Sequence, residues 1–143
     1  MPTRKLKDVV ANRKFVSAAA THSAMDVAKL MALHNIGSVL ILNGERLEGI
    51  VTERDVITRV VAPGRNPETV KVAEFMTHMP VVMSLDKPFG HALMAMAEGK
   101  FRHIPVVDGF KVVGVVSMRD ALGQEHLELD RTLQALDTIV TST

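Results

Sequence analysis

The chain has 143 residues, of which 47% are hydrophobic, a formal net charge of +1 and no cysteine. This length allows one ordinary domain with a substantial core, and the near balance of charge argues against a general electrostatic grip on nucleic acid or anionic lipid. The absence of cysteine excludes disulfides, thiolate metal sites and a thiol nucleophile.

The N-terminal segment is basic. Arg4, Lys5 and Lys7 are followed by Arg13 and Lys14, but five Phe with no Trp or Tyr leave little to stack on bases. We therefore interpret this run as a solvated face and expect no nucleic-acid partner. No apolar stretch approaches the roughly 18 residues that span a bilayer, and no signal-peptide core follows the charges. We expect a cytoplasmic protein with no membrane partner.

The residues that follow predict a β-α-β-β-α order. An extended piece, FVSAA, precedes a helical pattern over Ala24–His34 with one apolar face. The sequence VLIL-NG-ERLEGIV then predicts a hairpin, because Asn-Gly suits a two-residue loop with positive φ. A second helix is predicted to begin directly afterwards, at TERD.

The same order recurs further along the chain. After APGRNPET, which the two prolines and the glycine mark as a linker, come the extended piece VVMSL, a helical pattern over Phe89–Glu98, and the hairpin IPVV-DG-FKVVGVV. Pro88 suits the first turn of that helix. The predicted division is a first repeat over 8–61, a linker over 62–69, a second repeat over 70–122 and a C-terminal helix over 123–143.

The two copies align without a gap at an offset of 65 residues. Over Ile36–Asp55 and Phe101–Asp120, five of the twenty pairs are identical, among them Gly49 with Gly114 and Asp55 with Asp120. Such self-similarity indicates duplicated structural units. One small sheet with two helices cannot cover its second face alone, so we expect an α/β fold whose two copies pack sheet to sheet about an approximate two-fold axis.

Each hairpin ends in a hydroxyl residue, followed by a spacer, an arginine and an aspartate. These residues are Thr52, Arg54 and Asp55 in the first copy, and Ser117, Arg119 and Asp120 in the second. A hydroxyl with a carboxylate three positions later is close to a capping box, which stabilises a helix by about 1 kcal/mol. The same geometry suits a sugar-phosphate, because amides at a helix start bind phosphate and a carboxylate accepts ribose hydroxyls. Spacing alone leaves both interpretations open.

The whole arrangement resembles the CBS domain, named for cystathionine β-synthase, and the tandem resembles a CBS pair, or Bateman module. The resemblance rests on IPVVDGFKVVGVVSMRD, preceded by EGKFRH, and on its partial repeat in the first copy. It implies two β-α-β-β-α repeats that bind an adenosine-containing ligand in clefts between them. The candidates are AMP, ADP, ATP, S-adenosylmethionine and NAD(H). No cofactor is required, and any output passes in trans to an unknown effector protein.

The resemblance also implies roles for individual residues. It assigns Thr52 and Asp55 to one cleft, and Ser117 and Asp120 to the other, with the carboxylates on ribose hydroxyls. The adenine walls that it implies are Val16 to Ala18 with Ile36 in the second cleft, and Val81 to Met83 with Phe101 in the first. The family often carries a basic pair for phosphate at a position where the second copy has Arg102 and His103, and the first has Gly37 and Ser38. We expect one cleft to favour the more highly phosphorylated ligand.

The C-terminal segment from Glu125 predicts a helix with an apolar seam. The seam consists of Leu122, Leu129, Leu133, Leu136 and Val140. It suits packing on its own module or on another chain. Because CBS pairs commonly associate as dimers, we expect a homodimer.

Three classes of function fit the pattern: a nucleotide sensor, an enzyme with Asp55 or Asp120 as base near His103, and a structural dimerisation module with non-functional clefts. No Walker loop, dinucleotide-binding glycine motif or nucleophile elbow is present, and the two aspartates are duplicates rather than a pair. The histidines lack metal-ligand spacing. We therefore predict a regulatory module without a catalytic or metal site, and keep the structural module as the alternative.

Overall fold

The computed structural model describes residues 4–122 and Leu136. Its elements, in chain order, are α1 (Leu6–Val10), β1 (Ser17–Ala18), α2 (Ala24–His34), β2 (Ser38–Asn43), β3 (Arg46–Thr52), α3 (Glu53–Val56) with a π-helical turn (Ile57–Val61), a 3-10 turn (Val72–Glu74), β4 (Thr77–His78), β5 (Met83–Ser84), α4 (Phe89–Gly99), β6 (His103–Asp108), β7 (Lys111–Ser117) and a 3-10 turn (Met118–Leu122). The predicted C-terminal helix lies outside the described residues except for Leu136. Within the described part, no helix has the length and apolar character needed to cross a membrane.

Two small sheets carry the two copies. The first has the order β1-β2-β3-β4, and the second has the order β5-β6-β7. In each, a short strand runs parallel to the first strand of an antiparallel hairpin. The hairpins have the same register, since Ser38 lies opposite Thr52 and His103 lies opposite Ser117. The predicted mixed α/β fold of two equivalent copies is confirmed.

The hairpin loops lie one residue later than predicted. Asn43 still pairs with Arg46 as part of the ladder, so the two-residue loop is Gly44 with Glu45. Gly44 has a φ of +63°, and its counterpart Gly109 has a φ of +62°. Glycine therefore occupies the first loop position, as in a type II′ turn, where its missing side chain permits the positive φ. The predicted Asn-Gly and Asp-Gly loops are wrong by this one-residue shift.

Helix α1 packs into the core of the second copy. Leu6, Val9 and Val10 are buried in one cluster with residues of α4, β6 and β7. The backbone joins the same units, because the amide of Leu6 donates to the carbonyl of Lys87 at 2.9 Å and the amide of Phe89 donates to the carbonyl of Arg4 at 2.7 Å. The sequence repeat and the packing unit therefore differ at the N-terminus.

The residues after the linker pack, in turn, into the core of the first copy. The cluster of the first copy includes Val70, Val72, Phe75 and Met76. The amide of Val72 donates to the carbonyl of His22 at 2.8 Å. The segment before the first copy thus completes the core of the second, and the segment before the second copy completes the core of the first. These two exchanged segments hold the copies together.

The repeated glycine of the hairpins makes room for these exchanged segments. A Cβ atom added at Gly49 would lie 2.6 Å from the Sδ atom of Met76, and one added at Gly114 would lie 2.6 Å from the Cβ atom of Val10. Both distances are shorter than any relaxed contact between carbon or sulfur atoms. Packing therefore requires glycine at both of these equivalent positions, Gly49 and Gly114.

A third hydrophobic cluster joins the two sheets. Leu40 and Ile50 of the first hairpin are buried against Val112 of the second. Five partly buried side chains from both copies surround them: Phe15, Leu42, Leu47, Val107 and Val115. The predicted sheet-to-sheet packing is confirmed, and it holds the ends of β3 and β7 in a fixed relation to each other.

Candidate functional site

Strands β3 and β7 each end at a junction that runs directly into a helical turn. The amide of Glu53 donates to the carbonyl of Gly37 at 3.1 Å, and the amide of Met118 donates to the carbonyl of Arg102 at 2.9 Å. These equivalent bonds tie each junction to the residue before the neighbouring strand. Both predicted motifs therefore start from the same backbone arrangement.

At the first junction, Thr52 and Asp55 form a capping box. The Oγ1 atom of Thr52 accepts from the amide of Asp55 at 3.2 Å, and the amide of Thr52 donates to Oδ2 of Asp55 at 2.9 Å. The other carboxylate oxygen, Oδ1, lies 3.8 Å from Nε of Arg59, which is beyond hydrogen-bonding distance. Capping therefore uses one oxygen of Asp55 and leaves Oδ1 for another partner.

At the second junction, the amide of Ser117 donates to Oδ2 of Asp120 at 2.8 Å. Here Oδ1 is engaged, because Nη2 of Arg13 lies 2.8 Å away. The guanidinium of Arg4 donates to the backbone carbonyl of Asp120 at 3.3 Å and lies over the ring of Phe89, 4.9 Å from its centroid. The two junctions thus share a backbone geometry and differ in what surrounds the aspartate.

The basic N-terminal run is exposed, as predicted, but two of its arginines also hold the second junction. The sequence analysis did not connect Arg13 with Asp120. A signal was available in the sequence, because Arg13 stands before β1, whereas the corresponding stretch before β5, 77–80, contains no arginine. The alignment of the hairpins does not reach these segments, so it does not reveal this difference in charge.

His103 lies between the two copies. A Cβ atom added at Gly37 would lie 3.4 Å from Nε2 of His103 and 3.6 Å from Oε1 of Glu53. Burial lowers the pKa of His103 and outweighs the upward influence of the carboxylates of Glu53, Asp120 and Asp55. At neutral pH the imidazole is therefore mainly uncharged and offers one donor and one acceptor.

Most residues of the predicted adenine walls pack against the hydrophobic cores. Those that are buried or partly buried against a core are Val16, Ala18, Ile36, Met83 and Phe101. Val81 is instead 51% exposed. The three predicted arginines, Arg54, Arg102 and Arg119, are exposed, and Ser38 is partly buried at the start of β2. Apolar walls with a few polar groups are typical of small-molecule sites.

The arrangement brings both aspartates into the surroundings of one neutral histidine. Carboxylate oxygens accept hydrogen bonds from hydroxyl groups, and nearby guanidinium groups attract phosphates. Among residues 4–122, no group of three or more His, Asp or Glu side chains is placed to hold a metal ion. Groups that can bind hydroxyls and phosphates therefore lie beside apolar residues of the two cores.

Comparison with known proteins finds the same duplication. The family model "CBS domain" matches twice, over residues 6–62 and 72–125. An uncharacterized protein of Methanopyrus kandleri is 36% identical over 119 residues, which are 81% of this chain and 60% of that protein. A CBS domain-containing protein of Arabidopsis thaliana is 31% identical over 121 residues, which are 84% of this chain and 23% of that protein. The chain thus spans less than two thirds of the length of these relatives.

Solved structures share the fold. The CBS domain pair of MJ0100, in complex with 5′-methylthioadenosine and S-adenosyl-L-methionine, superposes with a TM-score of 0.79 at 26% identity. The match covers 89% of this chain and 99% of that chain. Nearly all of that domain pair is therefore represented here.

Proposed function

The chain belongs to the CBS domain family, and from that premise we propose that it is a regulatory module that binds adenosine-containing ligands and signals to a partner protein. The observation that carries the proposal is the pair of equivalent junctions. At each of them, Asp55 or Asp120 accepts a backbone amide through Oδ2, and Oδ1 takes no part in this capping bond.

This division of the carboxylate makes capping and ligand binding compatible. Because Oδ2 is held by a backbone amide, the position of Oδ1 is set before any ligand arrives. A positioned acceptor loses little freedom on binding, which favours affinity. Oδ1 of Asp55 and Oδ1 of Asp120 are the proposed acceptors for ribose hydroxyls in the two clefts, with Thr52 and Ser117 beside them.

The remaining polar groups suit the rest of a nucleotide. His103 and Arg102 stand at the start of β6 and supply a neutral donor and a cation for phosphate. The adenine is proposed to lie on the apolar walls, which involve Val16 and Ile36 in one cleft and Met83 and Phe101 in the other. The adenosine compounds bound by the domain pair of MJ0100 support this ligand class.

A binding role fits the duplication better than catalysis does. Asp55 and Asp120 are equivalent by the two-fold relation, and each is braced by its own junction rather than by the other. General acid–base chemistry usually needs two groups with different environments at one reacting bond. The proposed output is instead a change of shape or association, which a ligand drives through its differential affinity for two states. A homodimer and an effector protein acting in trans belong to this proposal.

One observation favours the alternative of a structural dimerisation module. Arg13 and the local amide together satisfy both oxygens of Asp120 without any ligand. On this alternative the junctions stabilise their own helices and the clefts stay empty. Ligand binding distinguishes the two candidates.

The deciding experiment is calorimetry and thermal unfolding with adenosine, AMP, ADP, ATP, NAD(H) and S-adenosylmethionine. A ligand at a hundred times its dissociation constant raises the free energy of unfolding by about 2.7 kcal/mol. We expect Asp55→Ala and Asp120→Ala each to remove one binding event.

Asp26→Ala is the matched control. Asp26 forms the same capping box with Ser23 at the start of α2, with bonds of 2.9 and 3.1 Å, but it lies at neither junction. This variant should lose stability and keep both binding events. If no compound binds the wild-type chain at millimolar concentration, the sensor proposal fails and the structural module stands.

A further inference from the structure

The two clefts differ in the segments that precede β1 and β5. Arg13 precedes β1 and forms the ion pair with Asp120, with 2.8 Å between Nη2 and Oδ1. The corresponding stretch before β5 contains Met79, whose side chain is apolar and 88% exposed. The second cleft thus has a cation on its aspartate from a segment whose counterpart supplies no arginine.

The elements on both sides relate the segment of Arg13 to that of Met79. Upstream, Lys5 and Lys71 are both the residue before a helical turn, and they stand 66 residues apart. Downstream, Ala18 pairs with Ile41 and Met83 pairs with Val106, the counterpart of Ile41, so β1 and β5 correspond at 65 residues. The second segment is therefore one residue shorter between these points, and its stretch 77–80 contains no arginine to correspond to Arg13.

Among residues 4–122, no cation pairs with Asp55 as closely as Arg13 pairs with Asp120. Arg59 approaches Oδ1 of Asp55 only to 3.8 Å and belongs to the same helical stretch as the aspartate. In addition, the carboxylate of Glu53 lies close to Gly37 at this junction, whereas its counterpart at the second junction is Met118. Counted over the described residues, the first cleft is therefore the more acidic of the two.

We propose that Arg13 makes the second cleft selective for adenosine ligands that carry a 5′-phosphate, while the first cleft accepts ligands without one. This inference rests on the proposed function of the same clefts. It assigns the more phosphorylated ligand to the cleft of Ser117 and Asp120.

The reason is an exchange of partners. A ribose that binds Oδ1 of Asp120 must take that oxygen from Arg13. With adenosine, the guanidinium of Arg13, whose side chain is 45% exposed, gives up its ion pair with the 13%-exposed Asp120 and gains only water in return. With AMP, the 5′-phosphate on the same sugar ring offers the guanidinium a new, bidentate partner. The phosphate therefore decides whether the exchange is favourable.

Calorimetry with AMP and adenosine tests this, because the two compounds differ only in the 5′-phosphate. Asp55→Ala leaves the second cleft alone to be measured, and Asp120→Ala leaves the first. In the Asp55→Ala protein we expect AMP to bind more tightly than adenosine. Adding Arg13→Met should reduce that preference about tenfold or more, the order of one hydrogen bond between charged groups. In the Asp120→Ala protein, where only the first cleft binds, we expect no such preference for AMP.

The outcomes separate the inference from the proposed function. Failure of both compounds to bind the wild-type chain would overturn the proposed function and the inference with it. Binding that Asp55→Ala and Asp120→Ala each reduce, but with an AMP preference that Arg13→Met leaves unchanged, would overturn only the inference. Arg13 would then merely fix the N-terminal segment. Arg13 is exposed, so melting curves should show that Arg13→Met leaves the Asp55→Ala protein as stable as before.

Discussion

The two junctions start from nearly the same sequence and differ in their surroundings. Thr52–Asp55 and Ser117–Asp120 share the backbone bond from the hydroxyl residue to Oδ2 of the aspartate. In one copy the Oδ1 atom lies 2.8 Å from Arg13; in the other, no cation of the described residues lies closer to it than Arg59, at 3.8 Å. Duplication therefore preserves the local geometry of a site, while the segment that packs against it sets its electrostatics.

The two exchanged segments, 6–10 and 70–76, also begin with the same local bond and differ in the core that they stabilise. In both, an acidic side chain reaches back to the amide of a lysine, Asp8 to Lys5 at 3.2 Å and Glu74 to Lys71 at 2.7 Å. Each segment then fills the core of the copy that it does not precede in sequence. Substitutions in either segment should therefore act on the opposite copy.

The largest effect is expected from Leu6→Ala. Leu6 is fully buried in the core of the second copy, so the cavity should cost about 2–5 kcal/mol of unfolding free energy. Hydrogen exchange should show the loss first in α4, β6 and β7. Leu33→Ala, on a side chain that is 77% exposed, is the matched control and should change stability little. Loss of protection confined to α2 and β2 would contradict the exchange.

Gly49→Ala and Gly114→Ala should come next, at about 1–3 kcal/mol each, because the new methyl group has no space. We expect Gly49→Ala to cost more, since its Cβ would also lie 2.8 Å from the backbone carbonyl oxygen of Thr77. Chemical denaturation measures both. Gly90→Ala in α4 is the control. Its Cβ would meet no atom of residues 4–122 within 4 Å, and the change should stabilise the helix by up to about 1 kcal/mol. Equal, small effects at Gly49 and Gly90 would refute the close approach.

Thr52→Ala sharpens the comparison of the junctions. It removes the acceptor for the amide of Asp55 and should cost about 1 kcal/mol in thermal or urea unfolding. Thr58→Ala is the control, since the hydroxyl of Thr58 donates to the carbonyl of Arg54 within an exposed helical stretch and its loss should cost less. A larger loss at Thr58 than at Thr52 would show that the capping box contributes little.

The smallest effect is expected from the pH dependence of His103. Because burial holds its pKa below the ordinary 6.5, the unfolded chain binds a proton that the folded chain resists, and stability falls as the pH drops below about 6.5. His103→Gln should flatten the melting temperature between pH 7 and pH 5. His34→Gln, at the exposed end of α2, should keep the wild-type slope. Parallel slopes for His103→Gln and wild type would place the imidazole in solvent.

Much of the fold could be predicted because local sequence patterns determine its helices and strands. Helix α2 has the predicted bounds, Ala24–His34, since a helical face and a capping serine occupy one short stretch. Both hairpins, the duplication and their packing follow from alternation, turn residues and self-similarity. The candidate aspartates were also visible, because Thr-x-x-Asp and Ser-x-x-Asp are local spacings. The hairpin loops were misplaced by one residue because Asn43 suits both a turn and the end of a strand.

The sequence by itself determined which elements form and which residue types stand at the two junctions. Only the tertiary structure decided that α1 fills the second core, that two repeated glycines serve to admit a neighbouring segment, and that Arg13 faces an aspartate. The physical reason is distance along the chain. Backbone periodicity and turn chemistry act over a few residues, whereas Arg13 and Asp120 meet only after both sheets have packed.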